Sequence, residues 1–120
     1  MRIVFDKNVP VGVRHFLSKH EVHTFASMRR HPQLGNGELL NVAEAERFDL
    51  MVTSDQNIRY QQNLTDRKLA LVVLGSNIWP VVRLHEAEIA AKVDAATPGS
   101  YNFIEMPLPP KGQRLKRPDH

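Results

Sequence analysis

Apolar residues in this chain fall into short unbroken runs separated by stretches with helical spacing. Ile3-Val4-Phe5, Leu50-Met51-Val52 and Ala70-Leu71-Val72-Val73-Leu74 are continuous apolar runs, the pattern of strands buried on both faces. Glu21 to Phe25 alternates and then breaks, which predicts a second, less buried strand, and Tyr101 to Met106 predicts a last strand at an edge. Four segments between them have helical character. Pro10 to Lys19 places Val13, Phe16 and Leu17 on one face. The segment opening at Asn36 buries Leu39, Leu40, Ala43 and Phe48, and Asn36 is a good N-cap. A short segment runs from about Gln56 or Ile58 to Asn63. The longest runs from Pro80 to Ala96, with Val82, His85, Ile89, Val93 and Ala96 at helical spacing, and Pro98-Gly99 stops it. Ala26 to Gly35 has little periodicity and reads as a loop. The order β-α-β-α-β-α-β-α-β predicts an α/β fold: a mainly parallel central sheet covered on both faces, in three layers α/β/α.

Composition adds bounds to this pattern. A chain of 120 residues supports one domain, and its 42% hydrophobic and 24% charged residues are ordinary for a globular protein. There are no cysteines, which excludes disulfides, thiol catalysis and thiolate-bound zinc and fits a cytoplasmic protein. No run approaches the roughly 18 apolar residues of a membrane span, so no membrane association is expected. The first residues read as a strand ending in an acid rather than as a secretion signal. The net charge of +3 sits entirely in residues 107–120, where Lys111, Arg114, Lys116 and Arg117 face only Asp119. Residues 1–106 are therefore a neutral domain, and 107–120 read as a disordered, basic, Pro-rich tail.

The candidate chemistry lies where strands run out. Asp6 ends the first strand, Glu38 follows the loop leaving the second, and Asp55 ends the third. In a parallel sheet all three fall at the carboxyl edge, where open α/β sheets bind ligands. Asn8, Asn36, Thr53, Ser54 and Asn57 are their polar companions. Each acid also has an ordinary role: a carboxylate near a helix N-terminus gains about 0.3–1 kcal/mol, and Asp55 suits the cap of the segment after it. Asn8 is better placed than Asp6 to cap the helix at Pro10. Capping does not require three acids on one edge, however, and acids held close together repel unless a cation sits among them. Oxygen ligands with small polar neighbours suit Mg²⁺ or Mn²⁺.

Three stretches together resemble the PIN-like domains. They are the apolar strand ending in Asp6 with Asn8 and Pro10 after it, Leu34-Gly35-Asn36-Gly37-Glu38-Leu39-Leu40, and Val52-Thr53-Ser54-Asp55-Gln56-Asn57. More narrowly, they look like the short PIN-like toxin ribonucleases of toxin–antitoxin pairs, and the likeness covers about residues 1–106. The resemblance implies a parallel sheet between helices and clustered acids that bind Mg²⁺ or Mn²⁺ for hydrolysis of RNA phosphodiester bonds. Asp6, Glu38 and Asp55 match the metal-binding acids, and Thr53 matches the small hydroxyl before the third. It also implies a cognate antitoxin as partner and a homodimer. The chain departs from the pattern at Asn57, which stands where the family commonly has a fourth acid.

Two other functional classes fit the same residues. A PIN-like module that binds protein or RNA without cutting is consistent with Asn57. A phosphoacceptor receiver domain shares the βα order, but Asp6 has no acidic neighbour and Gly75-Ser76-Asn77 offers no lysine. Arg29 and Arg30 in the loop, and Arg59, are candidate RNA contacts, with a solvated surface role as the alternative. None of the six histidines has a metal-site spacing. His85 reads as a boundary residue, His15, His20 and His23 as surface residues, and Trp79 as packing at a helix start.

Overall fold

The computed structural model describes residues 1–24, 36–58 and 67–107. Five strands, β1 (Arg2–Phe5), β2 (Glu21–Thr24), β3 (Leu50–Thr53), β4 (Ala70–Leu74) and β5 (Tyr101–Ile104), form one sheet in the order β2-β1-β3-β4-β5. Every adjacent pair is parallel. The chain leaves β1 for β2 on one side and then returns past it to β3 on the other. The direction of winding therefore reverses between β1 and β3, where ligand crevices form in such sheets.

Alternation along the strands gives each face of the sheet its own core. Ile3, Phe5, Leu50, Val52, Val72 and Leu74 point to one face. There they pack with Val13 and Leu17 of a 3₁₀ helix (Val11–Leu17) and with residues of α2 (Trp79–Val82) and α3 (Glu86–Ala95). Val4, Met51, Leu71 and Val73 point to the other face, against Leu39, Leu40 and Ala43 of α1 (Asn36–Ala45), with Phe48, Ile58 and Leu69. Burial on both faces is why β3 and β4 read as unbroken apolar runs: every residue of each is buried.

Several elements differ from the sequence expectation. The segment predicted as a helix from Pro10 to Lys19 is the seven-residue 3₁₀ helix, with Pro10 preceding it. A 3₁₀ helix rises about 2.0 Å per residue, so seven residues return roughly the length of a four-residue strand; an α-helix of that size would fall short. Asn36 opens α1 as a helical residue rather than standing before it as a cap. The long helix predicted from Pro80 to Ala96 is interrupted. α2 gives way to a 3₁₀ turn, Arg83–His85, and α3 begins at Glu86. His85 has φ −106° and ψ 23°, outside the helical region, and its Nδ1 lies 3.3 Å from Glu88 Oε1. Glu86 and Glu88 stabilise the new helix start. The last strand ends at Ile104, at the sheet edge as expected. The segment expected to be helical after Asp55 lies outside the described residues beyond Ile58, as does the tail beyond Pro107. Among the described residues no helix is long and apolar enough to cross a membrane.

Candidate functional site

β1 and β3 lie side by side with Phe5 opposite Val52. The ladder continues one step past β1, where the Asp6 N–H donates to the Val52 carbonyl at 2.9 Å. This sets Asp6 beside Thr53. The Thr53 hydroxyl donates to Asp6 Oδ2 at 2.8 Å and accepts the Asp55 N–H at 3.1 Å. Thr53 is fully buried and Asp6 is 5% exposed; they are the buried polar side chains among the described residues. One hydroxyl thus ties the carboxylate ending β1 to the backbone of the acid following β3.

The surrounding loops are fixed by the same kind of bond. Asp6 Oδ1 accepts the Lys7 N–H at 2.7 Å, and the Val9 N–H returns to the Asp6 carbonyl at 3.1 Å. Asn8, expected as a helix cap, instead accepts the Ser54 N–H on its Oδ1 at 3.3 Å, joining the two loops. The residue before the 3₁₀ helix is Pro10, whose apolar ring offers no atom to cap with. Asp55 Oδ1 accepts the Asn57 N–H at 3.0 Å, and the Ile58 N–H reaches the Asp55 carbonyl at 3.3 Å. Asp55 therefore does cap the turn that follows it, alongside its place in the cluster. Gln56, which sequence patterning did not single out, donates its side-chain amide to the Gly75 carbonyl at 3.0 Å and ties the site to the turn after β4. A glutamine in a polar loop carries no signal that would have found it.

Glu38 stands in the first turn of α1 and is exposed. Among the described residues, no three His, Asp or Glu side chains stand together as a group that could hold a metal ion. The structure brings Asp6, Thr53, Ser54, Asp55 and Asn8 together but does not join Glu38 to them in such a group. Arg29, Arg30 and Arg59 lie outside the described residues, as does the side chain of Asn36. His20 and His23, expected at the surface, are half-buried and paired: His20 Nε2 with Asp94 Oδ1 at 2.8 Å, and His23 Nε2 with Glu21 Oε2 at 2.8 Å. Trp79 stacks on Phe16 with ring centroids 5.7 Å apart, the packing role expected of it.

The donor set suits a hard divalent cation. A carboxylate offers about four lone-pair sites, and Asp6 has one hydrogen bond shown on each oxygen. Mg²⁺ is commonly held by one or two carboxylates, with water and substrate phosphate completing its shell. A groove of about 550 Å³ lies elsewhere, lined by Met1, Glu44, Arg47, Phe48, Lys68 and Pro98 among others. These residues sit at the amino ends of β1 and β4 and the ends of α1 and α3, across the sheet from the acids. The carboxylates of Asp6 and Asp55 and the winding reversal are at the other edge.

Compared with known proteins, the chain matches no family model, no curated protein and no solved structure.

Proposed function

We propose that the chain is a PIN-like, metal-dependent endoribonuclease, the toxin half of a toxin–antitoxin pair. The observation that supports this reading most is the pair of acids, Asp6 and Asp55, coupled through the buried Thr53 hydroxyl at the winding reversal of a parallel sheet. Asp6 and Asp55 hold Mg²⁺ or Mn²⁺ in this reading. The ion, when bound, supplies positive charge to a phosphoryl oxygen and acidity to a water. Thr53 holds both acids in register, and Asn8 fixes the loop after β3 through the Ser54 N–H. Glu38, exposed at the start of α1, acts through water and orients the attacking nucleophile. RNA is the substrate, an antitoxin protein the natural partner, and a homodimer the assembly the resemblance implies. The test is a thermal melt with Mn²⁺ added to the wild type and to Asp6→Asn, followed by RNA cleavage. Stabilisation and cleavage lost together in a folded Asp6→Asn protein support the assignment. Full activity in that variant overturns it.

A second reading has its own support. Asn57 gives its backbone N–H to Asp55 and brings no charge, and among the described residues Glu38 forms no three-acid group with Asp6 and Asp55. A PIN-like module that binds RNA or protein without cutting would look the same. Calorimetry separates the two: no heat of Mg²⁺ or Mn²⁺ binding at millimolar concentration favours the module.

A further inference from the structure

The groove of about 550 Å³ at the amino edge of the sheet takes no part in the acid cluster. Its size falls in the range of small-molecule sites, about 300–1,000 Å³. Three separate stretches of chain line it, and backbone bonds tie them together. The Ala70 N–H donates to the Asp49 carbonyl at 2.9 Å, and the Gly99 N–H to the Lys68 carbonyl at 2.9 Å. Gly99 has φ 75°, and a Cβ there would come within 2.5 Å of the Arg67 carbonyl oxygen. Glycine is what lets the turn after α3 close on Lys68. The groove is therefore built into the fold. Phe48, Leu69 and Ala70, all buried, give it an apolar lining with Pro98.

The charged groups of the groove are not equally occupied. The Glu44 carboxylate is paired with the Arg67 guanidinium, and Asp49 Oδ2 accepts the Arg2 N–H at 2.8 Å. Arg47 and Lys68 are exposed, and among the described residues neither side chain has an ion-pair or hydrogen-bond partner. With Arg67 counted, Arg47, Lys68 and Arg67 stand against Glu44 and Asp49, a balance of +1. Carbonyls at the end of α1, which would repel an anion, are taken up. Val42 accepts the Glu46 N–H, Ala43 the Phe48 N–H and Glu44 the Arg47 N–H. Arg47 also holds φ 64°, a left-handed backbone that glycine adopts more readily. A long side chain kept at such a position points to a use for it. From these observations we propose that the groove binds a small organic anion, its apolar body against Phe48, Leu69 and Ala70 and its carboxylate or phosphate held by Arg47 and Lys68. The groove lies across the sheet from Asp6 and Asp55, so the proposal stands whether or not those acids cut RNA.

The test uses anilinonaphthalene sulfonate, a fluorescent probe with an apolar body and an anionic group, titrated into the native protein. The probe is then displaced with naphthoate, naphthylmethanol and naphthylmethylammonium, which share a ring system and differ in charge. Lys68→Ala and Arg47→Gly are compared with the wild type. Ile78→Asp controls for the exposed apolar surface at Ile78, which is 55% exposed, and each fold is checked by circular dichroism. The proposal expects saturable binding, and displacement by naphthoate at a concentration about 5-fold or more below that of the alcohol or the ammonium. It expects probe binding to weaken about 5-fold in each cation variant. Arg47→Gly separates binding from folding, because glycine suits φ 64° and should leave the protein at least as stable. An absence of saturable binding, equal displacement by the three compounds, or wild-type affinity in either cation variant would overturn the proposal. So would binding lost in Ile78→Asp, which would place the probe on that other surface.

Discussion

Thr53 uses both capacities of its hydroxyl within the site, donating to Asp6 and accepting from Asp55. Thr53→Val keeps the shape and removes both bonds, leaving the buried Asp6 carboxylate and the Asp55 N–H each short of a partner. A loss of about 1–3 kcal/mol in chemical denaturation is expected. Thr53→Ser, which restores the hydroxyl, should recover most of it. Asp6, Thr53 and Asp55 could be read from the sequence because apolar runs show where strands end, and parallel strands end at one edge. Glu38 could not be placed the same way. It follows a stretch, residues 25–35, whose sequence has no periodicity from which to reason.

At the scale of single elements, helix ends and ion pairs give the clearest tests. The Phe48 N–H bonds to the Ala43 carbonyl and the Arg47 N–H to the Glu44 carbonyl, closing α1 with Arg47 at φ 64°. Glycine favours that left-handed position. Arg47→Gly should therefore be neutral or stabilise by up to about 1 kcal/mol, read as a raised denaturant midpoint. Between the 3₁₀ helix and α3, the His20 hydrogen bond holds the Asp94 carboxyl below its ordinary 3.8. Because the folded value is the lower one, the link contributes stability above that range and loses it as pH falls through the folded value. Asp94→Asn should melt below the wild type at pH 7, with the two melting temperatures converging below pH 3.8. The strand Ala70–Leu74 matches its apolar run residue for residue, and Leu50–Thr53 is the run Leu50-Met51-Val52 with Thr53 added. The break at His85 was not legible, because Val82, Ile89 and Val93 keep helical spacing across it and the backbone turn leaves that spacing intact.

The whole molecule separates two environments across the height of one sheet. The acids occupy the carboxyl edge and the groove beside Lys68 the amino edge. Lys68→Glu should leave any Mn²⁺-induced rise in melting temperature unchanged, in contrast to Asp6→Asn; an altered rise would assign metal binding to the wrong edge. The α/β class and the parallel sheet followed from the order of runs. The strand order β2-β1-β3-β4-β5 did not, since runs buried on both faces pair equally well with any neighbour. That order has a consequence in time. Asp6 and its Thr53 partner are 47 residues apart, and synthesis proceeds at roughly 5–20 residues per second, so the two are made roughly 2–9 s apart. The buried Asp6–Thr53 pair is therefore absent from a half-made chain, and it forms only once β3 is made and docks on β1.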